Sequence, residues 1–388
     1  CVGQVGPGRI DEHRSGIRVK LIGVPYDDLL AQLNLIGPHF TYDMIRIDVA
    51  QFGDIGQSIY RPLDELSISP EGLSPRLIKN GYDSYSMLNG RVYALPLDPS
   101  VQIFLYRTDL FHDAKLCRAY YERFHENLVV PTTYEQYLHA AEFFTRSCNP
   151  DSPTEYGTTM TCGSASVAAS DFLPFYLSRI DRFGSTPETL RLDCPEMQAA
   201  MRQYHALEKF SCKQNWWGDS IQKFAEGKTA MTVIYSNYAA ELINSGNSVV
   251  VGRVGAAILP GCKPLLGGGI VGISRYSQKA EACKQFFHWY YSADVASLLV
   301  RLGGTSPIVD AYEDFQNYSI FPWMNTSKKS FGLGQRGVIN QTPERFSIPK
   351  YEFAVGTAVR NVVQDLMTPA DASRMAQALY DAADPVCR

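Results

Sequence analysis

The chain has 388 residues, 36 basic against 40 acidic, a formal charge of -4 and a pI near 6.0. At this length one hydrophobic core has usually given way to two, so two lobes are expected. The charge balance leaves no basic excess to neutralise phosphates, which argues against a nucleic-acid or anionic-membrane partner, and no apolar run is long enough to span a bilayer.

In chain order, Ile17–Val24 reads as a strand, followed by a short amphipathic helix over Asp27–Leu35. Asp43–Asp48 and Val101–Tyr106 read as further strands. Thr132 with Glu135 three residues on predicts a capped helix running to about Ser147. Asp193, Pro195 and Glu196 open another, with Met197, Ala200, Met201, Tyr204 and Leu207 as its apolar stripe. A short helix from Asp219 ends at Gly227, and Thr229–Tyr235 follows as a strand. Gly269–Ser274 is a buried strand, and Ser277 caps a helix carrying Phe286, Trp289 and Tyr290. Asn317–Pro349, rich in Gly, Ser, Asn and Pro, reads as an irregular segment wrapping between lobes. A long helix carries Ala354, Ala358, Val362 and Leu366, and Thr368-Pro369 starts a final one that fades near Ala383. Strands alternating with helices imply an α/β protein whose ligand sits at strand ends.

The motifs of common catalysts are missing from the chain. It has no G-x-S-x-G elbow, only the partial Gly163-Ser164-Ala165-Ser166, and neither a G-x-x-x-x-G-K-[ST] phosphate loop nor H-E-x-x-H. Gly267-Gly268-Gly269 precedes a strand, whereas a dinucleotide fingerprint follows one. The seven histidines include no i, i+4 pair, and the nine cysteines (Cys1, Cys117, Cys148, Cys162, Cys194, Cys212, Cys262, Cys283, Cys387) have no metal-site spacing. Most of these thiols read as small buried side chains from a reducing compartment. No metal, cofactor or catalytic residue is expected, and an enzyme is the least favoured class. What the chain offers instead is aromatic: 23 Tyr, 19 Phe and 4 Trp, including the tandem Trp216-Trp217 before a helix start. A flat apolar face beside a hydroxyl or indole donor suits a sugar ring, and equally suits packing beneath a loop.

Several segments, in matching order, resemble the extracellular solute-binding proteins of ABC sugar importers, the family that includes maltose-binding protein. They are YALPLDPSVQIFLYRTDLF at Tyr93–Phe111, FAEGKTAMTVIYSNYAAEL at Phe224–Leu242, VGAAILPGCKPLLGGGIVGIS at Val254–Ser274 and GGTSPIVDAYED at Gly303–Asp314. The resemblance implies a two-lobed periplasmic-binding-protein-like fold with a hinge and an interlobe ligand cleft. One lobe would comprise 1–106 and 266–316, the other 107–265 and 317–388, with crossings after Val101–Tyr106, near Pro260–Gly268 and around Thr305–Ser319. It implies ligand contacts by Asp48 and Gln51 after an early strand, Asp98 at the cleft floor, Trp216 or Trp217 as a stacking face, Tyr235 and Ser236 at a strand end, and Gly268 and Gly269, whose backbone a ligand approaches.

The implied function is capture of a mono- or oligosaccharide by a monomeric protein for the membrane permease of an ABC importer. The alternative is a cytoplasmic sugar-sensing domain of a larger regulatory protein. Two features depart from the family. Only sixteen residues precede Ile17, too few for the family's first strand and helix, although Glu12–Ile17 resembles that helix's end. Cysteines also stand where the family has Ala or Gly, as in PGCKP and EACKQF. Cys1 could mimic the lipid-modified first residue of an exported lipoprotein, which would make the location extracytoplasmic.

Overall fold

A computed structural model describes residues 16–24, 28–73, 76–78, 85–180, 191–244, 246–336 and 347–382. Cys1 and most of the Glu12–Ile17 segment lie outside the described residues.

The organising element is a long strand. With β1 (Met44–Asp48), β2 (Met87–Leu88) and β3 (Arg91–Val92) preceding it, β4 spans Leu95–Arg107. β2 and β3 form a tight hairpin whose turn, Asn89-Gly90, has positive φ at both residues (49° and 77°), the combination that turn sequence supplies. The remaining strands are β5 (Thr158–Thr161), β6 (Ser211–Gln214), β7 (Met231–Tyr235), β8 (Val254–Ala257) and β9 (Leu266–Ile273).

β4 changes partners partway along. Its residues Leu95–Val101 pair with β9, whose other edge pairs with β1; Gln102–Tyr106 pair with β7, and Phe104–Arg107 with β8. The exchange falls at Gln102, a fully buried amide in an apolar run. Its Nε2 donates to Ser170 O at 2.8 Å, and its Oε1 accepts from Leu265 N at 2.9 Å. A buried amide with both ends satisfied fixes the backbone where one sheet partner gives way to the next.

Every pairing in this five-stranded sheet is antiparallel, and among the described strand pairs β5–β6 is parallel. The alternation of strands and helices therefore does not produce parallel neighbours here, because β9, from late in the chain, runs against both β1 and β4.

The most extensive helix packing joins Ala165–Leu177, which also meets β5, to Ile348–Val363. Their crossing rests on Gly356, where an added Cβ would lie 1.7 Å from Ala165 O. Helices Pro195–Glu208 and Pro369–Asp381 complete this layer. The stripe predicted for the first, Met197, Ala200, Met201, Tyr204 and Leu207, is its buried face. Around β1 and β9 the cover comes from Phe52–Ile59, through Phe52 and Ile59, and from Ala280–Tyr290, whose Tyr290 and neighbouring Tyr291 donate to the β4 carbonyls of Leu97 and Pro96.

Five expectations need correction. Residues 17–24 form no strand. The first helix is shorter, Leu29–Asn34. The capping box uses Thr133 and Gln136 rather than Thr132 and Glu135, because the Gln136 amide reaches back to both threonine N–H groups. Ser277 lies two residues before the N-cap Lys279 and accepts from its N–H. The supposedly irregular stretch contains helices Phe315–Ile320 and Met324–Leu333, anchored by buried Phe321, Trp323 and Phe331. No described helix is long and apolar enough to cross a membrane.

Candidate functional site

The β1–β9–β4 register puts Asp48, Gly269 and Asp98 side by side in one row. Along β1, Ile45 and Ile47 are buried, so Arg46 and Asp48 share the opposite, more open face. Asp48 ends the strand, and its Oδ1 accepts from Ala50 N at 2.9 Å, capping the short 3-10 turn Val49–Gln51. Asp98 sits where the β4–β9 register slips between Pro96 and Asp98, the kind of bulge that re-aims a side chain. Two prolines bring no N–H to that stretch, which favours the irregularity. Gly268, at φ +87°, passes so close that an added Cβ would lie 2.1 Å from Asp98 O.

Arg46 and Asp98 form a two-point pair, Nε to Oδ1 at 3.2 Å and Nη2 to Oδ2 at 2.8 Å. Burial opposes the Arg46 charge, but Asp98 and then Asp48 outweigh it and hold the guanidinium above its ordinary range. The two side chains are 37% and 40% exposed, so the pair is open on one side.

Close to this row is an aromatic wall. Trp216 is half-buried, edge-to-face with Trp217 at 5.1 Å and with Tyr238 at 6.4 Å, and hydrogen-bonded to the Tyr238 hydroxyl. Burial pushes the Tyr238 phenol up to about 12, and it lies within electrostatic reach of Asp48, Arg46 and Asp98. Trp217 is 6% exposed and packs edge-to-face on Tyr235 at 5.0 Å. The tandem tryptophans therefore divide, one beneath the wall and one on it.

Behind the wall, Tyr235 is buried and its hydroxyl accepts from Arg336 Nη1 at 2.9 Å. Arg336 also donates to Leu266 O at 2.9 Å and pairs with buried Glu352 at 3.0 Å. Burial pushes the Glu352 carboxyl up to about 7; Arg336 pulls it down, and nearby Asp48 pushes it further up. Ser236 Oγ lies 3.3 Å from Ser100 Oγ, which donates to Asn237 Oδ1 at 2.7 Å. Tyr85 donates to Gly267 O at 2.6 Å, bracing the glycine run from below. Gln51 Oε1 and Trp217 Nε1 are buried without a hydrogen-bond partner among the described residues.

The sequence-derived candidates thus gather in two groups: Asp48, Asp98, Gly268 and Gly269 on one side, Trp216, Trp217, Tyr235 and Ser236 on the other, with Gln51 at the end of the turn after β1. Sequence reasoning missed Arg46, Tyr238, Arg336 and Glu352. Arg46 stands two residues before Asp48 on one strand face, a period-two signal that was available. Glu352, a carboxylate within an otherwise apolar helix face, was visible too. Among the described residues no cluster of His, Cys, Asp and Glu could hold a metal ion.

A two-lobed α/β molecule in which one strand serves two sheet halves, with polar and aromatic groups gathered beside the exchange, has the architecture of a solute-binding protein. A family model for bacterial extracellular solute-binding proteins matches residues 11–323, and the chain belongs to that family.

Solved structures of similar fold include an ABC transporter solute-binding protein from Agrobacterium radiobacter K84 in complex with ribitol. It has a TM-score of 0.79 and 20% identity, with 95% of this chain and 92% of that one covered. The GacH receptor of Streptomyces glaucescens, solved unliganded and with acarbose, gives 0.75 and 18%, covering 95% and 91%. A solute-binding protein from Thermotoga lettingae bound to alpha-D-tagatose gives 0.74 and 17%, covering 95% and 92%.

Proposed function

We propose that this protein captures a mono- or oligosaccharide, or a related polyol, in a cleft between its two lobes and hands it to the permease of an ABC importer. The observation that carries the reading is the proximity of the Asp48–Asp98 row with Arg46 to Tyr238 and its neighbour Trp216. Carboxylates and a guanidinium supply fixed acceptors and donors for hydroxyls, while a half-exposed indole offers a face for the C–H side of a ring. Ligands bound by the solved neighbours, ribitol, acarbose and tagatose, are of the same chemical class.

Contacts are assigned to Asp48, Gln51, Asp98, Trp216, Ser236, Gly268 and Gly269, with Trp217 and Tyr235 supporting the wall. The unpartnered Gln51 Oε1 favours a ligand hydroxyl as its donor. The lobes are taken as 1–106 with 266–316 and 107–265 with 317–388; the partner exchange of β4 at Gln102 favours a first crossing a few residues earlier than the expected one after Tyr106. Closure of one lobe on the other would exclude water from the bound hydroxyls. The protein binds without turning its ligand over, works as a monomer, and acts outside the cytoplasmic membrane; the extracellular description of its family supports the last of these.

A strain lacking the gene, assayed for uptake of a panel of radiolabelled sugars and polyols, tests the transport role. Loss of uptake of one ligand, restored by the wild-type gene and not by an Asp48→Ala copy, is expected. Unchanged uptake of every ligand that the purified protein binds would point instead to a sugar-sensing role.

A further inference from the structure

Arg46 reaches Asp98 only because the residue between them in the sheet has no side chain. Gly269 pairs with Asp48 on one edge and Asp98 on the other, and the Arg46 guanidinium lies across its backbone. A Cβ added at Gly269 would stand 2.0 Å from Arg46 Nε, 2.3 Å from its Cζ and 2.4 Å from its Nη2, and these are its three nearest atoms. All three belong to the end of one flexible side chain, so the clash is with the arginine's position rather than with the sheet. Gly269 has no positive φ, so an alanine there meets no backbone strain.

The pair with Asp98 occupies Nε and Nη2 of Arg46 and leaves Nη1 without a hydrogen-bond partner among the described residues, on side chains about two-fifths exposed. Asp98 thus fixes the plane of the guanidinium, and Tyr238, in ring contact with Trp216, lies within electrostatic reach of it.

We infer that Arg46, laid flat over Gly269 and clamped by Asp98, is a ligand-contacting residue that sets specificity for uncharged polyhydroxy compounds. This rests on the reading that the cleft takes a carbohydrate. The charge count decides the class: one guanidinium stands among two carboxylates, Asp98 and Asp48, so the row is net negative. A sugar acid would bring its carboxylate against Asp48 and Asp98, with Arg46 already engaged. A neutral diol can instead accept from Arg46 Nη1 and donate to Asp48, completing both without an unpaired charge.

The test is a double-mutant cycle read by calorimetry, using the neutral sugar or polyol that the wild-type protein binds and the corresponding aldonic or uronic acid. Arg46→Met should weaken the neutral ligand roughly 10- to 100-fold, the worth of a hydrogen bond to a charged donor. Gly269→Ala should weaken it by a similar factor with the far-ultraviolet circular dichroism unchanged. In the Arg46→Met background Gly269→Ala should cost clearly less than in the wild type, leaving only the effect of the methyl group on Gly269's own ligand contact, because there is no guanidinium left to displace. Wild type should bind the acid at least about ten-fold more weakly than the neutral ligand, and Asp98→Asn should narrow that gap. Full affinity in Arg46→Met, independent losses in the cycle, or a wild-type preference for the acid would each overturn the inference. Failure of the wild-type protein to bind any carbohydrate would instead overturn the reading on which it rests. Gly269→Ala keeps the question answerable should Arg46→Met not fold.

Discussion

The tandem tryptophans should respond to truncation in opposite ways. Trp217 is 6% exposed and packs against Tyr235 and Trp216, so Trp217→Ala removes a full core side chain. Such truncations cost about 3–5 kcal/mol. A cooperative unit of 150–250 residues shifts by roughly 2–4 °C per kcal/mol, which puts the expected fall in melting temperature at about 6–20 °C. Trp216 is half-buried, with one edge on Trp217 and its N–H on Tyr238. Trp216→Ala should lower the melting temperature by only a few degrees. Removing a stacking face costs about 1–3 kcal/mol in the analogous base–aromatic contact, and a sugar ring belongs at the lower end, so roughly a ten-fold weaker Kd is expected. Thermal denaturation with and without ligand, together with calorimetry, separates the two outcomes. Trp216→Ala binding as tightly as wild type, or Trp217→Ala melting at the wild-type temperature, would refute the division of roles.

Two further outcomes follow from packing and charge. Ordinarily Gly→Ala in a helix stabilises by about 1 kcal/mol. At Gly356 the new Cβ meets the Ala165 carbonyl at 1.7 Å, backbone that cannot step aside, so Gly356→Ala should destabilise by about 3 kcal/mol or more in urea denaturation; a gain in stability would show the crossing to be looser than described. Asp171 is buried, accepting from Tyr204 Oη at 2.7 Å and Thr161 N at 3.2 Å, and burial pushes its carboxyl up to about 7 against those two bonds. Between the ordinary carboxyl range near pH 4 and pH 7, the folded chain holds a proton there that the unfolded chain releases, so stability falls as pH rises through that window. Asp171→Asn keeps an acceptor oxygen and cannot ionise. It should flatten that slope and stand on the order of 2–4 kcal/mol above wild type at pH 8; an unchanged pH profile of urea midpoints would count against it. Glu352, also raised to about 7, leaves a residual slope of the same sign.

Much of the candidate site was legible in the chain because strand ends carry their own signals. Asp48 closes an apolar strand, Asp98 sits between two prolines, and the three glycines open β9, so each position was legible locally. The helix stripe from Met197 to Leu207 was equally legible, since its 3.6-residue period needs no tertiary knowledge. Partners across the fold were not. Arg46 is tied to Asp98 fifty-two residues on, and Arg336 to Tyr235 a hundred and one residues back, through a register that no local pattern encodes. The sheet's antiparallel sense was hidden for the same reason: β9 meets β1 and β4 from more than 150 positions away. Residues 317–333 look irregular by composition, yet they fold as helices because Phe321, Trp323 and Phe331 find a core to enter. Tertiary burial there overrides weak local propensity.

The central claim is that the Asp48–Asp98 row and the Trp216 wall enclose a carbohydrate. Isothermal titration calorimetry of the wild-type chain against ribitol, tagatose, maltose and maltotriose, with an amino acid and a dipeptide as controls, addresses it directly. One-to-one binding of at least one carbohydrate with micromolar or tighter Kd is expected, reduced at least about ten-fold by Asp48→Asn, with no heat from the controls. Binding of a control ligand with none from any sugar or polyol would contradict it.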